Sequence, residues 1–487
     1  MKRILSILGM VVVFLGCHAQ TIDKNEDFEA FRRQIHEDFE NFRKEINQEF
    51  IEFVRNPWKE FESEDPIPKP KEDTIPPVVI PQEDKAKPIE DKPVIIEEVI
   101  TPAPVEPQPQ PVEPIEEVPV ISEKYITFTF FGTQCKVRYD DEKLFKLNSL
   151  SQDAVADALA VLCTDAYENM LVDCLEIRKK LQLCDWAYLE LLRTVADNVF
   201  PKGSNEATLL MAYIYVQSGY RMRLAHDGQR LYMLFASKHI IYEYPSYTVD
   251  GELYYGTKDL PSRLYISQAA YKDEKNLSML IPQPQKFAVS TGNARSIKSQ
   301  EFNDFEATVR VNKNLIDFYS TYPPSYYGDD FMTIWATYAN TPMNEAIQKD
   351  LYVQLKEKID TLDQLSAVTR LLNWVQTGFV YEYDDKVWGG DRAFFSEETL
   401  YYPYCDCEDR SILLSKLVRD LLGLKVLLIY YPGHLATAIR FTEEVTGDYI
   451  SLGGEKYVVA DPTYINAPVG KTMPSMDNKT AKVILLQ

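Results

Sequence analysis

The chain has 487 residues, with 52 Lys and Arg against 74 Asp and Glu, so its formal net charge is −22. A chain this acidic repels phosphate backbones, which argues against nucleic acid as a partner. Hydrophobic residues make up 45% and charged residues 26%, values that exclude global disorder, and the length is sufficient for two or more domains.

Residues 1–19 have the layout of a secretory signal peptide. Two basic residues precede an apolar stretch over 4–15, and small residues follow it. The stretch is shorter than the ~20 residues that a membrane-spanning helix needs. Two routes stay open: ordinary cleavage after the signal, or lipoprotein processing after Gly16 with a lipid on Cys17. The sequence therefore predicts export, to the periplasm or to an outer-membrane-anchored lipoprotein.

Residues 20–63 are predicted to form an amphipathic helix. An eleven-residue repeat from Asp27 places one apolar stripe on this helix, formed by Phe28, Phe31, Ile35, Phe39, Phe42, Ile46, Phe50 and Phe53. A period of about 3.67 residues per turn favours right-handed supercoiling with a partner helix. Residues 27–61 are therefore a candidate segment for homo-oligomerisation, and the alternative is that the stripe packs on the folded domains or on a lipid surface.

Residues 64–123 are predicted to be a proline-rich acidic linker. Fifteen of the 29 prolines lie between 64 and 119, and no glycine occurs between Gly16 and Gly132. Such a segment favours polyproline II structure at ~3.1 Å per residue, which makes a semi-rigid spacer. We expect it to hold the folded part away from its anchor.

Residues 124–335 are predicted to form an α+β middle domain. A strand ends at Gly132, and residues 151–197 show the spacing of helices. No nucleotide-binding glycine loop or HExxH motif occurs here, so no cofactor is expected. In an oxidising compartment two disulfides can form among four cysteines, namely Cys135, Cys163, Cys174 and Cys184.

A faint internal repeat links the middle domain to the C-terminal third of the chain. At an offset of 204 residues, a helix, a glycine stop and a strand recur in the same order. The aligned positions include Gly203 with Cys407, Gly219 with Gly423, and Arg230 with His434. Two accounts stay open: a duplicated unit whose middle copy has lost its reactive residues, or a chance match between unrelated apolar helices.

Cys407 is the candidate nucleophile in the C-terminal third. Asp406 stands where a helix N-cap is expected, an apolar helical face follows, and Gly423 is placed as a C-terminal stop. The positive end of the helix dipole favours the thiolate at Cys407, whereas Glu408 and Asp409 oppose it. Activation of this thiol therefore needs a base.

His434 and Asp461 are the candidate partners of that thiol. His434 begins an alternating apolar strand after a Pro-Gly turn, and a further predicted strand ends at Asp461, which Pro462 holds extended. A nucleophile, a base and an orienting carboxylate then come together in one compact unit.

These motifs resemble the transglutaminase-like superfamily of papain-type cysteine enzymes, whose bacterial members read roughly G-D-C-E-D, G-H and D-P-T. The matching residues are Asp406-Cys407-Glu408-Asp409, Gly433-His434 and Asp461-Pro462-Thr463. Cys405 departs from the pattern, because the family usually has Gly there. The resemblance covers about residues 340–480 and implies a transglutaminase-like catalytic domain over 336–487, of α+β class, with Cys407, His434 and Asp461 as catalytic residues.

The resemblance implies a cysteine peptidase or amidase, or an acyl transferase, that cleaves peptide or isopeptide bonds through a thioester acyl-enzyme. The expected partner is a peptide or protein substrate, and the predicted location makes peptidoglycan stem peptides a candidate. The backbone N–H of Cys407 is a natural oxyanion donor. Trp374 and Trp388 are candidates for the second donor, with core packing as the alternative.

Two other interpretations are weighed against catalysis. The fold can serve as a non-catalytic envelope scaffold, or as a peptide- or glycan-binding protein. Alternatively Cys405, Cys407, His434 and Asp461 can ligate zinc, although structural zinc sites typically use C-x₂₋₄-C and this motif is C-x-C. No metal is expected on this spacing.

Overall fold

The computed structural model describes residues 34, 41–70, 75–96, 98–110, 124–474 and 476–487. The predicted signal peptide, the candidate lipid site at Cys17 and most of the eleven-residue repeat lie outside these residues. Residues from Phe50 to Gln487 form one compact body, and the residues before Phe50 belong to a separate body.

Helices and strands both contribute to the described part of the chain, as the α+β prediction requires. The helices are α1 (41–54), α2 (Gln82–Lys85), α3 (Gln152–Leu162), α4 (Asp165–Leu181), α5 (Asp185–Val199), α6 (Asn205–Gln217), α7 (Lys313–Tyr319), α8 (Thr333–Asn340), α9 (Glu345–Ile347), α10 (Val353–Lys356), α11 (Gln364–Gly378), α12 (Asp384–Val387), α13 (Ser396–Tyr401) and α14 (Cys407–Leu422). A 3₁₀ turn covers Asp141–Lys143, and a π turn over Gln348–Tyr352 joins α9 to α10.

The strands up to the middle of the chain are β1 (Lys59–Glu62), β2 (Val78–Val79), β3 (Lys92–Val94), β4 (Glu98–Ile100), β5 (Tyr125–Phe130), β6 (Thr133–Arg138), β7 (Met222–His226), β8 (Leu231–Ala236), β9 (His239–Ile241), β10 (Ser246–Val249), β11 (Glu252–Tyr255) and β12 (Arg263–Ile266). The remaining strands are β13 (Arg295–Lys298), β14 (Glu306–Val309), β15 (Ser325–Tyr327), β16 (Val380–Tyr381), β17 (Tyr404–Cys405), β18 (Lys425–Tyr431), β19 (His434–Arg440), β20 (Asp448–Leu452), β21 (Glu455–Ala460), β22 (Tyr464–Ile465) and β23 (Lys482–Leu485).

The buried face of α1 coincides only in part with the predicted stripe, and the helix ends at 54, so the predicted helix over 20–63 is wrong where β1 begins at Lys59. Ile46 and Phe50 are buried as predicted, but Phe53 is 57% exposed and Val54 is fully buried instead. Val54 follows Phe50 by four residues, and side chains at that spacing lie on the same helix face. The placement of Phe53 on the buried stripe is therefore wrong.

The larger sheet of the middle region has the strand order β1-β12-β7-β8-β11-β10, and every neighbouring pair is antiparallel. Helices α5 and α6 pack against each other, and α6 covers one face of β7 and β8. We call α5 to β12 the middle unit. Its core is aromatic as well as aliphatic, with Tyr232, Tyr247 and Tyr254 all buried.

The C-terminal sheet has the order β3-β20-β21-β19-β18-β23-β4, with five central antiparallel strands and one parallel strand at each edge. Val94 of one edge strand and Glu98 of the other are four residues apart, so at most about 14 Å separates them. Seven strands in a flat sheet would place the edges about 29 Å apart. The sheet is therefore strongly curled. We call α11 to β23 the C-terminal unit.

The two units share one topology. In each, a long helix is followed by a hairpin, and the sheet order β10-β11-β8-β7-β12 corresponds strand for strand to β20-β21-β19-β18-β23. All these neighbouring pairs are antiparallel in both sheets. The helix, glycine and strand that matched at an offset of 204 residues are thus equivalent elements of equivalent sheets.

The described parts of the predicted linker, 64–123, are folded against the middle region as well as the C-terminal unit, since Gln108 donates to Leu183 O (2.8 Å) and Glu106 pairs with Lys238 (2.9 Å). Strands β2, β3 and β4 pair in parallel with β22, β20 and β23. Edge strands tolerate proline because one row of their backbone N–H groups needs no partner, as at Pro93 in β3. Ile80, Val94 and Ile100 are buried and anchor the segment. These residues are therefore not the free spacer that the composition predicts.

The six cysteines of the described residues are all free thiols. The two disulfides considered for Cys135, Cys163, Cys174 and Cys184 are therefore not formed. Burial, the leading cause, raises the pKa of the Cys184 thiol to about 12, which keeps it protonated. Among the described residues, no helix has the length and hydropathy of a membrane span.

Candidate active site

Cys407 is the first residue of α14, as predicted. Asp406 is extended at the N-cap, and its backbone N–H donates to the carboxylate of Asp409 (3.3 Å), which with the reciprocal contact forms a capping box. At the other end Gly423 adopts the left-handed conformation (φ 66°) of a helix stop. Both predicted ends of this helix are confirmed. The capping fixes the backbone from which the thiol projects.

His434 and Asp461 form a buried hydrogen-bonded pair. His434 begins β19 after a two-residue turn in which Gly433 has φ +77°, and Asp461 directly follows β21, the neighbour of β19. His434 Nε2 lies 2.8 Å from Asp461 Oδ2, and the two residues are only 1% and 3% exposed. The backbone N–H groups of Thr463 and Tyr464 donate to Asp461 Oδ1 at 2.8 and 3.2 Å. The carboxylate is therefore held in place and in turn holds the imidazole.

The imidazole has one nitrogen left for chemistry. With Nε2–H donating to Asp461, His434 Nδ1 carries a lone pair and is an acceptor. This atom is buried and has no hydrogen-bond partner within the described part of the chain. Tyr431 stacks on the ring at 6.3 Å between centroids and limits its rotation. The arrangement is that of a base whose free nitrogen faces the interior.

The Cys407 thiol points to Glu408 instead of forming the expected bond to His434. Its Sγ donates to Glu408 Oε2 (3.1 Å), and no hydrogen bond joins Cys407 to His434 in the described residues. Burial raises the pKa of the Cys407 thiol well above its usual range, and Glu408 and Asp406 raise it further. The backbone N–H of Leu435, next to the histidine, acts in the opposite direction. In this state the thiol is neutral.

The proline-rich segment lies beside the dyad. Ile75 N–H donates to Gly433 O (2.9 Å), immediately before His434, and β2 then pairs with β22 just beyond the Asp461 turn. Tyr381 holds the same segment through a bond from its hydroxyl to Ile75 O (3.4 Å). Cys407 is 2% exposed, so the site is closed.

Gln376 is a supporting residue that sequence reasoning missed. From α11 its Nε2 donates to the backbone oxygens of Asp461, Tyr464 and Ala467, at 3.0, 2.8 and 3.1 Å. These bonds fix the turn that carries the Asp461 carboxylate. A glutamine inside an otherwise apolar helical face was the available signal, because buried amides need partners.

Cys405 and the two tryptophans have structural environments. Cys405 Sγ faces Val380 O at 3.9 Å, and burial raises its pKa to about 11. Trp374 is fully buried and donates to Ile297 O (2.9 Å), so it packs in the core. Trp388 packs edge-on against Tyr402 and beneath Arg392. Neither tryptophan donates a hydrogen bond to the Cys407 site in the described residues.

Two groups of ligand-type atoms lie close enough to hold a cation, and neither is the proposed zinc set. Within the described residues they are Asp406, Cys407 and Glu408, and Asp384, Asp391 and Glu408, with each group's atoms within 4.8 Å of one another. Burial, followed by the negative charge of Glu408, raises the pKa of Asp384 to about 7. The second group consists of oxygen donors alone, which suit calcium or magnesium better than zinc.

A cavity of about 290 Å³ reaches this acidic group from the surface. Glu408 and Asp391 line it together with aromatic side chains, including Tyr242, Tyr322 and Trp335. Arg392 also lines the cavity. Its guanidinium is paired with Glu398 (2.6 Å), and no ion pair joins it to Glu408 among the described residues. The cavity therefore approaches the Cys407 thiol from its acidic side.

Models of known protein families, curated proteins and solved structures were compared with the chain, and none of them matches. The interpretation of the site therefore rests on its own geometry.

Proposed function

We propose that this protein is a cysteine peptidase or amidase of transglutaminase-like type that cleaves peptide or isopeptide bonds through a thioester on Cys407. The observation that carries the proposal is the buried His434–Asp461 pair. The Nδ1 atom of His434 has no partner among the described residues, and β19, which begins at His434, packs against α14, which begins at Cys407. A histidine oriented in this way is a general base for a neighbouring thiol.

The chemistry follows from these atoms. His434 Nδ1 takes the proton of the Cys407 thiol as Sγ forms a bond to the amide carbon, and the carbonyl oxygen becomes an oxyanion. The N–H of Cys407 at the helix start stabilises that charge. The C–N bond then breaks, His434 gives the proton to the leaving amine, and a thioester remains. Water, activated by the same histidine, releases the acid and restores the thiol, whereas an amine would give transfer.

Substrate binding has to change the environment of the thiol before this sequence begins. The thiol is buried, neutral and bonded to Glu408, and a neutral thiol is a poor nucleophile. A substrate that displaces Glu408 removes the largest electrostatic cause of the raised pKa. The expected enzyme is therefore slow when free and active when its peptide is in place.

The test is intact-protein mass spectrometry after treatment with a thiol-directed electrophile that carries a peptide-like group. One adduct on Cys407 is expected, and its rate should fall strongly in His434→Ala. Cys405→Ala is the matched control, because Cys405 is two residues away and equally buried. Its labelling rate should equal that of the wild type. Labelling that is slow and indifferent to His434 would refute the proposal.

A second candidate is a non-catalytic envelope scaffold, or a peptide- or glycan-binding protein, on the same fold. The bond from the thiol to Glu408 favours it, because that bond holds the site in an inactive state. Such a protein keeps its binding activity in Cys407→Ala, whereas a peptidase loses all turnover. Measuring binding and hydrolysis of one peptide with that variant separates the two.

A further inference from the structure

The shared topology gives the molecule a second position that is equivalent to the candidate active site. In the middle unit Gly203 aligns with Cys407, and Gly256 follows β11 as Asp461 follows β21. The strand register places Tyr232 at the position of His434, in place of the Arg230 of the sequence match, because Phe235 pairs with the last residue of β11 as Thr437 pairs with the last residue of β21. The glycines have no reactive side chain, and the Tyr232 hydroxyl is engaged as a donor to Asp227 (2.9 Å).

A cavity of about 200 Å³ lies at this position, and Gly203, Tyr232 and Gly256 all line it. Its remaining apolar lining is buried and comprises Ala196, Ala207, Met211, Met233, Phe235 and Leu260. A Cβ placed on Gly203 would meet no atom within 4 Å, so open space stands where the other unit has its nucleophile. The middle unit therefore has a cavity at this position but no counterpart of the Cys407, His434 and Asp461 side chains among the described residues.

The rim of this cavity is cationic. Lys202 and Arg230 line it, and neither forms an ion pair in the described part of the chain. The guanidinium of Arg230 lies over the ring of Tyr232 at 5.4 Å. The backbone N–H of Arg230 donates to the carboxylate of Asp227 (2.7 Å), which fixes the turn that carries Arg230. The acidic residue in the lining, Asp197, is already engaged by Gly203 N–H (3.0 Å). Counted over its lining, the cavity has three cations, Arg193, Lys202 and Arg230, against the one carboxylate of Asp197, while Asp227 and Asp259 lie beside Arg230 outside the lining.

The size and charge of the cavity define what it can take. About 200 Å³ is below the ~300–1,000 Å³ of pockets for drug-sized ligands, so one side chain with its terminal group fits. An apolar floor suits an aliphatic side chain, and two cations at the mouth suit one carboxylate. The overall negative charge disfavours polyanions.

We propose that the middle unit binds, without cleaving it, a peptide chain end that carries a carboxylate beside an aliphatic side chain. The peptide nature of the ligand rests on the function proposed for the C-terminal unit, whereas its carboxylate and its aliphatic group rest on this cavity alone. The protein would then hold a chain end at one unit while the other unit cleaves an amide bond.

The experiment is a ligand-observed NMR titration of the full chain carrying Cys407→Ala, so that turnover cannot interfere. The probes are N-acetyl-leucine and its neutral analogue N-acetyl-leucinamide. Saturable binding is expected for the carboxylate, with at least tenfold weaker binding of the amide. Arg230→Gln should weaken binding of the carboxylate at least tenfold, because it removes one charge-assisted hydrogen bond. Met211→Trp should abolish it by filling the cavity.

Lys238→Gln is the matched control, because it makes the same charge change at an exposed lysine of the middle unit whose partner is Glu106. It should leave the affinity within twofold. Equal binding of acid and amide, equal loss in Lys238→Gln and Arg230→Gln, or loss of binding in His434→Ala would each overturn the proposal. Arg230 is exposed, so its variant should fold even if Met211→Trp does not. Labelling of Cys407 is measured separately, so failure of the catalytic proposal stays distinguishable.

Discussion

The middle and C-terminal units are built on one strand order and differ in what stands at three positions of it. One unit has Gly203, Tyr232 and Gly256, and the other has Cys407, His434 and Asp461. The first set leaves a cavity with a cationic rim, and the second forms a closed polar site. The same framework therefore supports binding in one place and candidate chemistry in the other.

The two positions also differ in how many carboxyl groups they bury. Around Cys407 the C-terminal unit buries Asp406, Glu408 and Asp409, and burial, followed by repulsion from neighbouring carboxylates, raises the pKa of Asp406 and Asp409 well above the usual range. The middle cavity has an apolar lining and exposed cations, which carry no such desolvation penalty. Asp406 and Asp409 cap α14, and Glu408 accepts from the Cys407 thiol; carboxyl groups with pKa values raised in this way cluster at functional sites.

The largest expected effect contrasts the two hairpins. His434→Ala should lower turnover by about 10³- to 10⁴-fold, because the thiol loses its base. Tyr232→Ala, at the equivalent place in the middle unit, should leave turnover unchanged and lower only thermal stability. The measurement is kcat on a peptide substrate with melting temperatures alongside. A similar fall in kcat for both variants would mean that the histidine has a structural role.

The second prediction concerns His239, the buried histidine of the middle unit. His239 of the middle unit has no partner for either ring nitrogen in the described residues, and burial lowers its pKa to about 4. Below pH ~6.5 the unfolded chain protonates this residue while the folded protein does not. Stability should therefore fall by about 3 kcal/mol as the pH drops from ~6.5 to ~4.

His239→Leu should remove that part of the pH dependence. Glu397 and Glu398 act in the opposite direction, because burial raises both their pKa values to about 7 and their contribution is lost as the pH rises. Their effect cancels when the melting temperatures of wild type and variant are subtracted at each pH. A difference that does not change between pH 4 and 7 would contradict the assignment.

A smaller effect is expected from the carboxylate at the thiol. Glu408→Gln should lower the pKa of Cys407 and speed its labelling at neutral pH about tenfold, because a negative charge 3.1 Å from Sγ is removed. Asp385→Asn makes the same charge change at an exposed position of the short helix α12 and should have little effect. The readout is the labelling rate against pH. An unchanged profile in Glu408→Gln would show that burial alone keeps the thiol neutral.

The smallest expected effect concerns the proline-rich segment, none of whose described residues lines the middle cavity. Ile80→Asp places a charge in the buried cluster with Tyr464, Ala467 and Met473, so the segment should detach locally. Labelling of Cys407 should then become several times faster. Val79→Asp is the matched control, because Val79 is exposed. Equal rates in both variants would show that this segment does not restrict access to the thiol.

Some of the fold could be predicted because its signals are local. The start of α14 at Cys407, its stop at Gly423 and the strands that carry His434 and Asp461 follow from capping residues, a glycine and alternating apolar residues. The offset of 204 residues was visible for the same reason. It could not be distinguished from a chance match until the sheet order of both units was known.

Other features depend on residues far apart in the chain. The proline-rich composition indicates an extended segment, but only the curled C-terminal sheet supplies the two edges on which β3 and β4 pair. The role of Gln376 depends on three carbonyls 85 or more residues away. Neither relation has a periodic signal in the sequence.

The sequence by itself determined the order and type of the elements around Cys407, His434 and Asp461, because caps, turns and apolar periodicity act over a few residues. The tertiary structure decided which of these groups meet. It paired His434 with Asp461, turned the Cys407 thiol to Glu408 and buried both. The protonation of the thiol was decided there as well, because burial and neighbouring carboxylates outweigh the helix dipole that the sequence predicts.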